Sequence, residues 1–548
     1  MITDPRPTSL LQRRIYGTLG ITLLVGLYLL VGLTGHDPWR GDDARHFGPV
    51  WSMLRGEGLL FPQLAGEPFA AYPPLYYWFA ALTALATSPV LAPHDGARIA
   101  TALFTAATVY CTARAAESLY GRPARTPAAM LTLGTLGLVL HAHETQPMIA
   151  VVAMLALTLY GLAKVPQQPA KGSITAGIGA ALAFLAGGVP AALLTMPLLP
   201  LALTLSRDCR TPHASGGLLL GLSIALGLGA LWPVAIHLLQ PEAYALWLKT
   251  TWRELASGPI AARDLNKLVE LLGWFTWPLW PIALWALWRG RRQLGALPLL
   301  LPLLSAVLTL AWVSLTGELS PSSMLPLLPP LALLAAGGVP TLRRGAANAF
   351  DWFGVMTFAV FGLLIWLAWT AQAYSWPPGL ARHANRVAPD FVLHGSAMQL
   401  SIGVLITVFW LLLVWRLPRN SSRSPSNWAL GMTMLWCLAV TLLMPWFDHG
   451  RSYRPVMKSL EGAVAGEVVD CIATTGLPDA LRSSLDYFAG IRTVPVQDDS
   501  TPCSLLLVHD NRRIDTTELA PEWRVIWDYR RGGGKQLETF RLYRRTPG

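Results

Sequence analysis

Residues 36–78 read HDPWRGDDARHFGPVWSMLRGEGLLFPQLAGEPFAAYPPLYYW and follow the first apolar segment of the chain. Charged side chains are costly at bilayer depth, so charges gathered next to apolar segments predict a water-filled cavity in which a reaction takes place. From Phe47 the apolar residues recur at helical spacing, which predicts a short amphipathic helix in the membrane interface. An ordinary solvated loop is the alternative. The stretch gathers Asp37, Asp42, Asp43, Arg45, His46, Arg55, Glu57 and Glu67.

The rest of the 548-residue chain is apolar, with 53% hydrophobic and only 13% charged residues. Apolar runs of about 20 residues, the length that spans a bilayer, recur almost to residue 447. The composition therefore predicts a polytopic α-helical membrane protein. The net charge of +11 does not indicate nucleic-acid binding. Most Lys and Arg residues stand in short loops between spans, where they report orientation.

Positive charges orient the predicted spans. Arg13 and Arg14 place the N-terminus in the cytoplasm, and no cleavage-site pattern follows, so we expect a retained first helix. The run 74–87 is assigned to the interface, because this keeps Arg122 and Arg125 inside. A first outer loop (residues 35–96) and a transmembrane domain (residues 1–447) result. The thirteen predicted spans are 16–34, 97–119, 127–142, 148–163, 174–188, 190–205, 217–239, 268–288, 297–315, 324–339, 354–374, 396–415 and 428–447.

The tail, residues 448–548, has a different composition that predicts a small α/β domain on the outer side. EVVDCIATTG, RTVPV, SLLLVHD, WRVIWDY and ETFRLYRR read as strands, and PDALRSSLDYFAG reads as a helix. No nucleophile elbow, phosphate-binding loop or metal spacing occurs in it. Cys471 and Cys503 form a disulfide in an oxidising compartment or stay as two free thiols, and both readings remain open.

The order of motifs in the first outer loop resembles a known superfamily. A W-x-x-D-[DE]-x-R pattern is followed by G-x-x-x-P-x-x-x-G and P-x-x-x-Y-W segments. This order is similar to that of the GT-C membrane glycosyltransferases of the aminoarabinose-transferase and protein O-mannosyltransferase type. The runs 325–336 and 353–358 also look like that superfamily. The residues that carry the motifs are Trp39, Asp42, Asp43, Arg45, Gly58, Pro62, Gly66, Pro73, Tyr77 and Trp78.

The resemblance implies a GT-C fold with interfacial helices in the first outer loop and a C-terminal periplasmic domain. It also implies sugar transfer from a polyprenyl-phosphate donor, at the outer face of a bacterial inner membrane. Undecaprenyl-phosphate-linked 4-amino-4-deoxy-L-arabinose is one candidate donor. Lipid A, another envelope glycolipid or a protein is the expected acceptor. Direct attack on the anomeric carbon would invert its configuration.

The resemblance also assigns residues. Asp42 matches the acid at the catalytic centre, and Asp43 matches its companion. The second acid of the superfamily falls on Gln146, two residues after Glu144, so the predicted catalytic set is Asp42, Asp43 and Glu144. The predicted substrate-binding residues are Arg45, His46, Arg55, Glu67, Tyr72, Tyr77, His143, Gln146, Arg253 and Arg263.

The chain departs from aminoarabinose transferases at two lysines expected to meet the lipid phosphate. Their Glu-Lys pair falls on Ala71 and Tyr72, and their T-K-G motif falls on Ala186, Gly187 and Gly188. Other cations must then stabilise the departing phosphate, and an Arg fork suits bidentate phosphate contact. For Arg253 and Arg263, anchoring to lipid headgroups is an equal alternative.

The acceptor decides what Asp42 does. A hydroxyl acceptor requires a general base, whereas an ionised phosphate acceptor leaves Asp42 to orient the sugar or a cation. Asp42 with Asp43 could bind a divalent cation, and no other cofactor is predicted. For His141 and His143 we expect hydrogen bonding in the interface, and for the aromatic run 76–78 a belt at the membrane surface.

A transporter or flippase for an anionic lipid or lipid-linked sugar is the rival function. Transporters often show repeated halves with acids at the bilayer midplane. No clear repeat occurs in this chain, and its acids gather in one outer loop, which favours the enzyme.

Overall fold

The structure is a computed structural model. It describes residues 18–387, 391, 393, 395–416, 422–465, 471–496, 503–510, 523–531 and 538–546. Arg13 and Arg14, on which the predicted orientation of the N-terminus depends, lie outside these residues.

Helices dominate the part of the chain before the tail. The first outer loop contains α2, α3 and a two-stranded antiparallel ribbon, β1 (Gln63–Leu64) with β2 (Glu67–Pro68). The helices are α1 (Thr18–Leu30), α2 (Asp42–Leu54), α3 (Leu75–Thr87), α4 (Pro93–Tyr120), α5 (Arg125–Leu133), α6 (Met148–Lys164), α7 (Pro169–Thr195), α8 (Leu198–Leu205), α9 (Pro212–Leu239), α10 (Pro241–Leu255), α11 (Leu265–Phe275), α12 (Leu279–Gly290), α13 (Leu297–Thr316), α14 (Leu328–Gly338), α15 (Arg344–Tyr374), α16 (Pro378–Val387), α17 (Ala397–Arg416) and α18 (Arg423–Arg451).

Among the described residues, eight helical segments are long and apolar enough to cross a membrane. The predicted multi-pass helical membrane protein is therefore confirmed. Shorter apolar helices, including α1, α3 and α6, accompany them. The eight segments are Pro93–Tyr120, Pro169–Leu205, Pro212–Leu239, Leu297–Thr316, Ser322–Thr341, Arg344–Tyr374, Ala397–Arg416 and Arg423–Arg451.

Several predicted spans differ from the observed helices. The predicted spans 174–188 and 190–205 meet at a bend: α7 has non-helical backbone angles at Gly188, so two helices join there inside the apolar segment Pro169–Leu205. The bend occurs there because Gly188 has φ 66°, which glycine tolerates, and Pro190 lacks an N–H for the helical ladder. The predicted span 127–142 contains the end of the nine-residue α5 (Arg125–Leu133) and a short 3₁₀ helix, Leu136–Leu138. The predicted span 268–288 is divided between α11 and α12.

Helices α6, α7 and α9 pack with their backbones in close contact. A Cβ atom at Gly161 of α6 would lie 2.4 Å from the backbone nitrogen of Ala176 in α7. A Cβ atom at Gly177 of α7 would lie 2.2 Å from the carbonyl oxygen of Gly221 in α9. Small residues at such crossings let membrane helices approach closely, so this group forms a tight bundle.

The tail contains the predicted strands and the predicted helix. Helix α18 continues to Arg451, four residues past the predicted domain boundary, and a helix that was not predicted, α19 (Arg454–Val464), follows. The remaining elements are β3 (Ile472–Thr475), α20 (Asp479–Ser484), β4 (Thr493–Pro495), β5 (Leu505–Asp510), β6 (Trp523–Arg531) and β7 (Glu538–Arg545). The five strands form one sheet in the order β4-β3-β5-β7-β6. Strand β3 is parallel to β4 and β5, and the other pairs are antiparallel.

A disulfide joins Cys471 to Cys503, with a Cα–Cα distance of 5.1 Å. Cys471 lies one residue before β3 and Cys503 two residues before β5, and the two strands are neighbours. Of the two readings that the sequence leaves open, the structure has the disulfide.

Candidate active site in the first outer loop

Helix α2 places two adjacent carboxylates at its first turn. Asp42 and Asp43 follow Gly41, whose φ of 104° requires a glycine. Negative charge is favourable at a helix N-terminus because the backbone N–H groups there are unpaired. Further along the helix, Phe47 and Val50 are fully buried, which confirms the predicted amphipathic helix. Because adjacent helical residues point about 100° apart, the two carboxylates face different surroundings.

Asp43 points inwards and is fully engaged. Its side chain is 1% exposed, and it accepts hydrogen bonds from the backbone N–H of Trp39 (2.9 Å) and of Thr145 (2.7 Å). Arg98 of α4 completes the site with an ion pair of 2.8 Å. Burial alone would raise the pKa of Asp43, but Arg98 and the hydrogen bonds hold that pKa well below its usual range. These are the contacts of a residue that positions loops, and its predicted catalytic role stays a prediction.

Arg98 is a residue that the sequence analysis missed. It has no exposed surface, and it donates to the carbonyl oxygens of His36 (2.9 Å) and Asp37 (2.8 Å) as well as to Asp95 (3.0 Å) and Asp43. One guanidinium thus joins the first outer loop to α4. A charged residue inside a predicted apolar span was the signal that could have identified it.

Asp42 points to the other side and is only half-buried. The side-chain amide of Gln146 donates to its Oδ2 atom at 3.0 Å. Gln146 is fully buried and is itself held by Met148, whose N–H donates to Oε1 at 3.3 Å, and by Tyr76, whose hydroxyl accepts from the Gln146 backbone at 3.1 Å. Where the superfamily has a second acid, this chain therefore has an amide that orients Asp42.

Glu144, the third predicted catalytic residue, lies in the same loop as Gln146. Its side chain is 11% exposed and lies 3.6 Å from Arg451 and 3.9 Å from the Nδ1 atom of His141. Burial, reinforced by the charge of Asp43, raises the pKa of Glu144 to about 8. Glu144 therefore holds its proton at neutral pH.

Arg45 lies one helical turn after Asp42. Its Nε atom donates to Asp479 of the tail at 3.1 Å, and its guanidinium lies 5.5 Å from the ring centre of Phe69. About 41% of the Arg45 side chain is exposed. The cation predicted to bind substrate is thus accessible and next to Asp42.

Two further acids surround Tyr72. Burial raises the pKa of Tyr72, and the charges of Glu318, Asp42 and Glu254 act in the same direction. Burial and the charge of Glu318 raise the pKa of Glu254 to about 7. Burial raises the pKa of Glu318, and the charges of Arg45 and Asp42 act on that pKa in opposite directions. The charges of Glu254 and Glu318 therefore act on the same group, Tyr72, as the charge of Asp42.

Other predicted binding residues make contacts to the tail. Arg55 donates to both carboxylate oxygens of Asp486, at 2.9 and 2.5 Å. Glu67 pairs with Arg482 at 2.9 Å. A substrate role for Arg55 and Glu67 stays a prediction, while the observed contacts attach the tail to the first outer loop.

The predicted aromatic belt is wrong for two of its three members. Tyr76 and Tyr77 have 0% exposed surface because their hydroxyl groups find partners inside the protein. The Tyr76 hydroxyl lies 2.6 Å from Thr101 Oγ1, and the Tyr77 hydroxyl lies 3.0 Å from His46 Nδ1. The buried His46 packs its ring edge against Tyr72. Trp78 is 36% exposed, as a residue at the membrane surface would be.

The remaining predicted binding residues lie at two extremes. His143 is fully buried, stacks on Trp436 and lies 2.7 Å from the carbonyl oxygen of Tyr28, so its contacts are those of a packing residue. Arg253 and Arg263 are exposed, on α10 and just before α11. Both readings of these arginines, substrate binding and lipid anchoring, stay open.

The structure does not support a cation shared by Asp42 and Asp43. The carboxylate of Asp43 is already occupied by Arg98 and two backbone N–H groups. Within the ranges that the structure describes, no group of three His, Cys, Asp or Glu side chains is arranged to hold a metal ion.

Comparison with known proteins supports the resemblance seen in the first outer loop. Residues 71–232 match the family described as dolichyl-phosphate-mannose-protein mannosyltransferase. The structure is similar to that of ArnT from Cupriavidus metallidurans bound to undecaprenyl phosphate, with a TM-score of 0.67 and 15% identity over 95% of this chain and 97% of that chain. ArnT from the same organism in the apo state gives a TM-score of 0.63 and 14% identity over the same shares. No curated protein matches the sequence significantly. The predicted resemblance is confirmed, and these identities establish the fold and not the substrate.

Proposed function

We propose that this chain is a membrane glycosyltransferase of the GT-C type, and that it transfers a sugar from a polyprenyl-phosphate donor to an acceptor at the outer face of the membrane. The donor is a lipid-linked sugar such as an undecaprenyl-phosphate sugar. The acceptor is lipid A, another envelope glycolipid or a protein.

The observation that carries the proposal is the hydrogen bonding and exposure of Asp42. Gln146 fixes one carboxylate oxygen of Asp42, and the other makes no hydrogen bond with the residues that the structure describes. Asp43, the adjacent acid, is saturated and buried. One oriented, accessible carboxylate beside an accessible arginine is what a transfer with an anionic leaving group needs.

In the proposed reaction the acceptor oxygen attacks the anomeric carbon, and the bond from that carbon to the phosphate oxygen breaks. The phosphate leaves as an anion, and Arg45 stabilises its charge through bidentate contact. With a hydroxyl acceptor, Asp42 takes the proton that the hydroxyl loses. This direct displacement inverts the configuration of the sugar.

Glu144 borders the same site in its protonated form. Because its carboxyl is neutral at pH 7, it adds no negative charge beside the departing phosphate. Asp42, held by Gln146 and partly exposed, remains as a carboxylate that can pair with an ammonium group, which supports an amino sugar such as 4-amino-4-deoxy-L-arabinose as the transferred group.

We further propose that the site faces the periplasm of a bacterial inner membrane, with thirteen spans and a cytoplasmic N-terminus. The disulfide of the tail supports an oxidising compartment on that side. The same side carries the first outer loop, because the two are joined by ion pairs such as that of Arg55 with Asp486.

The test is sugar transfer in liposomes, with a panel of undecaprenyl-phosphate sugars and with lipid A and peptide acceptors. We expect wild type to transfer, Asp42→Asn to lose at least about 100-fold in rate, and the control Glu270→Gln, the same acid-to-amide change on the exposed face of α11, to match wild type. Transfer that survives in Asp42→Asn would contradict the site. Absence of transfer in wild type, with movement of lipid between leaflets, would replace the enzyme by a flippase.

A further inference from the structure

Asp479 of the tail contacts Arg45 on the open side of the site. This residue begins α20 and accepts from the Nε atom of Arg45 at 3.1 Å. The two side chains are exposed by similar amounts, 41% for Arg45 and 36% for Asp479. The pair is therefore open to water and to a ligand, unlike the buried pair of Asp43 with Arg98.

The atom that Asp479 contacts determines what Arg45 can still bind. A guanidinium has five N–H donors in a rigid plane, and Nε supplies only one of them. With Nε engaged, the edge formed by Nη1 and Nη2 makes no hydrogen bond with the described part of the chain. Those two amino groups form the fork that binds two oxygens of a phosphate. Phe69 packs against the guanidinium and limits its rotation.

Asp479 is held in a fixed place relative to α2. A Cβ atom at Gly48 of α2 would lie 2.9 Å from the Oγ atom of Ser483 in α20, so the two helices touch with no room for a larger residue. The ion pair of Arg482 with Glu67 adds a second contact from the same helix. The distance from Asp479 to Arg45 is therefore set by packing and not by the two flexible side chains alone.

We infer that Asp479 is a positioning residue: by holding Nε of Arg45 it directs the Nη1–Nη2 edge of that arginine towards the phosphate of a polyprenyl-phosphate donor. This inference rests on the proposed function. It makes the tail part of the active site, because a membrane region without the tail would have Arg45 but not its orientation.

The experiment measures binding of undecaprenyl phosphate to the full-length protein in detergent, by quenching of tryptophan fluorescence, together with KM and kcat of transfer. We expect Asp479→Ala to raise Kd and donor KM about three- to tenfold with little change in kcat, because one charge-assisted contact loses its geometry. Asp479→Glu should restore most of the affinity. In an Arg45→Gln background, Asp479→Ala should have no further effect, since it acts through Arg45.

Glu57→Gln is the matched control. Glu57 pairs with Arg492 of the tail at 2.7 Å, with side-chain exposures of 35% and 41%, so the change weakens the same interface without touching Arg45. We expect it to bind as wild type does. Unchanged or tighter binding in Asp479→Ala, an equal loss in Glu57→Gln, or additive effects of Asp479→Ala and Arg45→Gln would each overturn the inference. If wild type neither binds undecaprenyl phosphate nor transfers sugar, the proposed function fails and the inference fails with it.

Discussion

Replacing Arg98 by methionine should destabilise the protein, because Asp43, the more deeply buried of its two carboxylate partners, and Asp95 both lose their cation. Arg98 has 0% exposed surface, and it neutralises Asp43, whose own exposure is 1%. Removing one partner of a buried ion pair costs about 3–5 kcal/mol, because the other charge stays buried without compensation. The carbonyl oxygens of His36 and Asp37 also lose their donor. We expect a loss of about 3–5 kcal/mol in the free energy of unfolding at pH 7.

The loss should depend on pH in a defined direction. The pKa of Asp43 is held low in the folded wild type, so the stability from its charge is present above about pH 4, its unfolded pKa, and is lost as the pH falls further. In Arg98→Met the buried carboxylate of Asp43 has lost its cation. Protonation of Asp43 removes this unpaired charge and so makes the variant less unstable. The difference between wild type and variant should therefore shrink as the pH is lowered from 7 to 4.

The assay is denaturant unfolding in detergent, followed by tryptophan fluorescence, for three variants. Adding Asp43→Asn to Arg98→Met removes the unpaired charge and should recover about 1–2 kcal/mol. Arg114→Met makes the same change in the same helix, at an arginine that is 32% exposed and pairs with Glu117 at 2.6 Å, and should cost less than about 1 kcal/mol. Equal losses in Arg98→Met and Arg114→Met, or additive losses in the double variant, would refute the reasoning.

Two further predictions follow from the site and the tail. Transfer should fall as the pH rises through about 8, because ionised Glu144 places a second negative charge beside the departing phosphate. Glu144→Gln should remove this fall while keeping activity at pH 7. A pH–rate profile of both proteins checks the prediction, and an unchanged decline in the variant would exclude Glu144 as the source of the fall. Replacing Cys471 and Cys503 by serine should lower the stability of the full-length protein by about 3–4 kcal/mol, the loop-closure value for the 32-residue separation. Unfolding with and without reductant measures this loss. An effect of reductant that persists in the serine variant would contradict the assignment of the stabilisation to this disulfide.

Much of the architecture could be predicted because it depends on local patterns. Apolar runs identified the membrane region, and alternating residues identified the strands of the tail, including Leu505–Asp510. The bounds of the spans were harder to predict, because length and hydropathy cannot show where a helix breaks. The predicted span 268–288 is divided between α11 and α12, whereas the two spans predicted around Gly188 do meet at that residue.

The candidate site was predicted in part. The motif identified Asp42 and Arg45, which the structure places on one helix, α2, with side chains that are partly exposed. It placed Asp42 at the centre and Asp43 beside it, but it could not show that the helix turns Asp43 inwards towards Arg98.

Long-range partners account for what the sequence could not show. The opposite charges that engage Arg55 and Glu67 stand more than 400 residues later in the chain. No spacing rule connects residues so far apart, and their charges alone suggested substrate contacts. The buried tyrosines are a similar case, since only the fold brings Thr101 and His46 to the hydroxyl groups of Tyr76 and Tyr77.

The distance along the chain between the two halves of this interface has a consequence for how the protein is made. Asp37 emerges early in synthesis, while its partner Arg454 lies 417 residues later. Asp479, which holds Arg45, comes 434 residues after it. While the intervening helices are being inserted, the charged residues of the first outer loop do not yet have these partners. A segment that is made more than 400 residues later thus completes the first outer loop, and the site can form only after that segment has been synthesised.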